Sequence, residues 1–247
     1  MKQMNFPSII LLMCCAFASN TFIGLAQEQP IVDLPKSAYT IAAEATVKSD
    51  GEQEKKADEW AASLKLGDAV KERRVATIIT THLKTIRDWH NEHPYTTVPA
   101  GINPVTGKPL SQLDRQIIAD SATPKIAHEN LVSGLRSELS LDQVEAILDK
   151  YTVGKVAFTM KGYKAIVPDL TADEEKMILG FLKQAREEAV DYKNMNQISA
   201  IFEIYKTKSE QYLNSNGRDW KKMYKTYTDA IKAKKAEAAK QPTKPTE

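Results

Sequence analysis

The sequence predicts a mainly α-helical protein, a multi-helix bundle interrupted by a small hairpin or extended loop around residues 153–168. Three observations carry this. Apolar residues recur at steps of three and four through most of the chain from Glu52 to Ile231, the period that gathers side chains on one stripe of a helix. Ser140 with Gln143, and Thr171 with Glu174, have the spacing of a capping box, in which each side chain satisfies the other residue's backbone N–H. A chain of 247 residues, 42% of them hydrophobic, can bury one substantial core or two small ones without disulfides.

Residues 1–26 read as a secretion signal. Lys2 supplies the leading charge, and Ile9 to Phe17 form an apolar run shorter than the roughly 20 residues a spanning helix needs. Gly24-Leu25-Ala26 then offers small residues for cleavage before Gln27. A competing reading takes Leu12-Met13-Cys14-Cys15 as a lipoprotein signal with Cys15 acylated, which would hold the protein on a membrane. Cys14 stands there where a small residue is usual, and cleavage would cut the apolar run short, so soluble export to the periplasm or beyond is the favoured address. Both cysteines fall in this segment, leaving the mature chain without disulfides, thiol nucleophiles or Cys metal ligands.

Residues 27–51, with Pro30, Pro35 and a closing Ser49-Asp50-Gly51, read as an N-terminal arm in which Ile41 to Lys48 is too short to stand as a helix alone. A single helical domain is assigned to 52–231. Its first helical stretch breaks at Gly67-Asp68, where Gly closes one helix and Asp caps the next. Val75, Ile79, His82, Ile86, Trp89 and His93 then form one stripe, whose default meaning is packing. Pro94, Pro99, Pro104 and Pro109 mark a loop whose fixed φ angles suit a retained shape.

Helices follow over Ser111 to Asp120, Lys125 to Leu139, and Ser140 to about Tyr151, with Leu139 able to staple onto Val144. Between 153 and 168, Val156, Phe158 and Met160 alternate, as do Tyr163, Ala165 and Val167 beyond Lys161-Gly162, which predicts the hairpin or a clamped loop. The second capping box opens a helix to about Tyr192 that buries Ile178, Phe181, Leu182 and Ala185. Asn196 to Leu213 forms another, and Asp219 caps a last one bearing Trp220, Met223, Tyr224, Tyr227 and Ile231. Residues 232–247 carry no core residue and read as a disordered tail.

Thirty-four basic against 32 acidic residues is near balance, which argues against nucleic acid as a partner. The chain has no Gly-rich phosphate loop, nucleophile elbow or dinucleotide fingerprint. His90 and His93 supply two imidazoles on one helix, short of a ligand set, so neither metal nor cofactor is assigned. The remaining lead is aromatic: Trp89, Tyr95, Tyr163, Trp220, Tyr224 and Tyr227 combine an apolar face with a polar handle, which suits stacking on a sugar. Tyr95 and Tyr163, placed outside the helices, are the ones expected at the surface.

From Tyr151 the chain reads Tyr-Thr-Val-Gly-Lys-Val-Ala-Phe-Thr, followed by Lys161-Gly162-Tyr163 and Val167-Pro168-Asp169-Leu170-Thr171. Ala185-Arg186-Glu187-Glu188-Ala189, Phe202 with Tyr205-Lys206, and Tyr212-Leu213 come after. With Leu83, Ile86 and Trp89-His90 upstream, this resembles the exported bacterial family catalogued as domain of unknown function 3826, of Bacteroides-type polysaccharide users. The resemblance covers most of the mature chain and implies sugar binding without established catalytic residues. Lys155, Thr159, Tyr163, Arg186, Glu187, Lys206 and Tyr212 match its motifs. Structurally these form a scaffold of caps and ion pairs, the reading that weighs more; functionally they form a polar patch beside Tyr163.

The candidate ligand-binding residues are thus Trp89, His93, Tyr95, Lys155, Tyr163, Arg186 and Glu187. The leading function is an exported, non-catalytic protein of polysaccharide utilisation with an oligo- or polysaccharide as partner. The alternatives are a periplasmic helical chaperone or scaffold, and a hydrolase or lyase built on the plentiful carboxylates.

Overall fold

The computed structural model describes residues 38–240 except Val105. The secretion signal at 1–26, the start of the arm and residues 241–247 lie outside the described residues. The chain divides into Met1–Ile41, of which only 38–41, the first four residues of α1, is described, and Ala42–Glu247, which holds the rest.

Among the described residues there are nine α-helices and no strand: α1 (Ala38–Ala62), α2 (Ala69–Glu92), α3 (Gln112–Asp120), α4 (Lys125–Glu138), α5 (Leu141–Tyr151), α6 (Lys155–Ile166), α7 (Ala172–Ala189), α8 (Met195–Ser215) and α9 (Trp220–Lys240). The mainly α multi-helix bundle is what the structure shows. Helix α1 runs through Gly51 and α9 continues to Lys240, so neither helix stops where the arm and tail were drawn. None of the described helices is long and apolar enough to cross a membrane.

The caps act as their spacing requires. Asp68 accepts from the Val70 and Lys71 N–H groups, and the boxes at Ser140/Gln143 and Thr171/Glu174 are both reciprocal. A third box, Ser111 with Asp114, opens α3. The proline-rich loop has a defined shape: a 3-10 turn at Tyr95–Thr97, then an antiparallel bridge between Ile102 and Pro109.

The hairpin or extended loop at 153–168 is absent; the segment is α6. The alternation that suggested strands is a coincidence of composition. Val156, Met160 and Tyr163, at i, i+4 and i+7, are buried, whereas Phe158 is 78% exposed. Gly154 at φ 66° is a left-handed junction whose N–H returns to the Asp149 carbonyl, closing α5 and releasing the chain into α6. Gly162 sits inside the helix, where its cost of about 1 kcal/mol against Ala is overridden by packing.

Two apolar clusters form. The first joins Ala57 and Ala61 of α1, Val75 and Ile79 of α2, Leu131 and Leu135 of α4, and Ile147 and Leu148 of α5. The second joins Met160 and Tyr163 of α6, Ile178 and Leu182 of α7, and Ile201, Phe202 and Leu213 of α8. Gly134 lets α4 approach α2 closely, since a Cβ there would lie 3.1 Å from Ile78.

Candidate functional site

Helix α9 packs on both α6 and α8, and a groove of about 740 Å³ lies among the three. Its placement starts at Arg218, in the turn before α9. The guanidinium grips Glu174 through Nε to Oε1 (2.8 Å) and Nη2 to Oε2 (2.7 Å), and reaches Asp169 through Nη1 (2.8 Å). That fork holds the Glu174 carboxyl down at about 2, and ties the start of α9 to the start of α7.

The groove walls are aromatic. Trp220 packs at 5.2 Å against Tyr163 and stacks at 6.0 Å and 29° on Tyr224, which is 51% exposed; Phe158 stands exposed on α6. Polar groups line it too. Glu203, Lys206 and Glu210 fall at i, i+3 and i+7 on α8, and the Lys206 ammonium donates to both Glu203 oxygens at 2.8 and 2.9 Å. Burial raises the Glu210 carboxyl above its ordinary value. Lys155 holds its ammonium 5.6 Å over the Phe202 ring, and Thr159 lies one turn further along α6. An apolar stacking face with a few convergent polar groups is the chemistry of a small polar ligand site.

The seven predicted site residues do not come together. Lys155 and Tyr163 line the groove, but Tyr163 is 2% exposed, its hydroxyl donating to the Lys206 carbonyl; the expected surface tyrosine is a wall of the site from beneath. Trp89 and His93 stack on each other at 3.8 Å, each pinned through a ring nitrogen to a backbone carbonyl. Tyr95 is half-buried beneath the Arg115 guanidinium, 5.3 Å away.

Arg186 is 1% exposed and paired at 2.7 Å with both Glu145 and Asp149. Glu187 faces the His128 ring at 3.6 Å. These residues brace helices, and the groove is completed by Phe158, Glu203, Glu210, Trp220, Tyr224 and Tyr227. The signal that could have found the α8 members was the 3-4 step of Glu203, Lys206 and Glu210 beside Phe202.

A second cleft, of about 530 Å³, opens beside α4, α7 and α8. Asp191 accepts from His82 Nε2 and His128 Nδ1, both at 2.9 Å. Asp191 and Glu187 together push His128 up to about 10, so the ring is an imidazolium. Burial works to raise the Asp191 carboxyl, but the bonds from His128 and His82 outweigh it and hold it below the ordinary value. Both His128 nitrogens face carboxylates, leaving no lone pair to take a proton, so this constellation is a cross-link rather than a general base. Among the described residues no three His, Cys, Asp or Glu gather as a metal ligand set.

Fold and groove together define a mainly α-helical protein with an aromatic, mixed-charge groove walled by α9. The chain belongs to the family described as protein of unknown function (DUF3826), whose model matches residues 51–233. No curated protein matches it.

Proposed function

We propose that this protein binds oligosaccharide in the groove among α6, α8 and α9, as an exported, non-catalytic component of polysaccharide utilisation. One observation carries the reading: the groove pairs exposed aromatic faces, Tyr224 and Phe158, with Lys155, Thr159, Lys206 and Glu210, the mix needed to stack on a sugar ring and orient its hydroxyls. Four residues that carry the family resemblance, Lys155, Thr159, Tyr163 and Lys206, converge on it.

Titration calorimetry against a panel of plant and host oligosaccharides tests the reading. Saturable binding is expected, weakened by about 0.5–1.5 kcal/mol in each of Tyr224→Ala and Phe158→Ala, roughly two- to tenfold. Heat indistinguishable from dilution across the panel would overturn it.

A further inference from the structure

We infer that the occupant of the groove is an acidic saccharide, a chain containing uronic acid residues, with Lys155 and Lys161 as the groups that meet its carboxylates. This rests on the oligosaccharide reading above and narrows it to a substrate class.

The charge inventory of the groove is small enough to follow residue by residue. Its charged side chains are Lys155, Lys161, Lys206, Glu203 and Glu210. Lys206 is matched by Glu203, both of whose oxygens it holds. Burial raises the Glu210 carboxyl above its ordinary value, while the Lys206 charge draws it down. Neither Lys155 nor Lys161 has a carboxylate partner among the described residues. The groove thus carries three lysines against two glutamates, and Lys155 and Lys161 are the two ammonium groups held by no carboxylate.

Lys155 also breaks a local rule. It is the first residue of α6, where the helix dipole disfavours a cation, and no side chain caps that terminus. Helix α4 opens in the same way, on Lys125 with no side-chain cap, whereas α2, α3, α5 and α7 carry Glu72, Asp114, Asp142 and the Asp173-Glu174-Glu175 run in their first turns. The Lys155 ammonium lies 5.6 Å over the Phe202 ring, at the groove wall.

Lys161 lies six residues on, about 9 Å along the helix axis at 1.5 Å per residue. Two cations so spaced address separate carboxylates along a chain rather than one shared group. The exposed rings of Phe158 and Tyr224 stack on sugar faces, a preference that a simple inorganic anion could not use.

The test is calorimetric titration of the purified full-length protein with galacturonate, glucuronate-containing and mannuronate oligosaccharides, each beside its carboxyl-reduced neutral form. Binding to at least one acidic oligosaccharide is expected, with about tenfold loss on carboxyl reduction. Lys155→Gln and Lys161→Gln should each weaken the acidic ligand several-fold and the reduced one by less, both variants melting as the parent does. Equal or tighter binding of the reduced forms, or unchanged affinity in both variants, overturns the acidic-sugar inference while leaving oligosaccharide binding standing. Failure of every acidic and neutral saccharide to bind overturns both.

Discussion

Asp191 does the work of several residues at one turn. It follows α7, accepts from His82 on α2 and from His128 on α4, and so ties three helices through one carboxylate. His128 illustrates the linkage sign. Its folded value, about 10, lies above the ordinary 6.5, so the interaction stabilises fully below pH 6.5 and is lost as pH rises toward and through 10. Urea melts at pH 6, 8 and 10 should show parent stability falling across this window, with the difference from His128→Gln closing.

Glu174 has the opposite sign. Its value is depressed to about 2 from 4.5, so its contribution is present above pH 4.5 and disappears as pH falls through 2. Glu174→Gln should therefore melt below the parent at pH 7 and match it near pH 2.

At the scale of elements, the informative positions are glycines and junctions. A side chain at Gly134 would drive into Ile78 across the α2–α4 contact, so Gly134→Leu is expected to cost about 1–3 kcal/mol as an overpacked site, visible as a lowered Tm. Gly154 has open space around it, yet its φ of 66° is one that L residues adopt at a cost of about 1–2 kcal/mol. Gly154→Ala should lower stability by that amount while leaving helix content unchanged by circular dichroism. The contrast separates two reasons for glycine, close packing in one case and backbone handedness in the other.

At the scale of the whole molecule, the described residues form two apolar clusters joined by polar straps. Arg186, on α7 of the second cluster, reaches Glu145 and Asp149 on α5 beside the first, and Asp191 adds the histidine bonds. Such straps are expected to make unfolding cooperative, so circular dichroism and tryptophan fluorescence should report one coincident transition in the parent. In an Asp191→Ala, Arg186→Met double variant the two probes should separate. Coincident curves in that variant would show that apolar contact alone couples the clusters.

What the amino-acid order determined by itself was local. The Ser140/Gln143 and Thr171/Glu174 boxes, the Asp68 cap and the stripe from Val75 to Ile86 were legible because capping and helical periodicity act within four residues. Only the tertiary structure decided the rest. The 153–168 segment carries period-two and period-3.6 signals together, and the arbiter was the surface offered by α7 and α8, which takes Val156, Met160 and Tyr163. The groove was half visible, its aromatics and Lys155 in view but their assembly not. Trp220 meets Lys206 and Lys155 because Arg218 fixes where α9 begins, through carboxylates 44 and 49 residues away in the chain. Contacts at that separation leave no periodic trace, since they are set by how packed helices cross and not by spacing along any one of them.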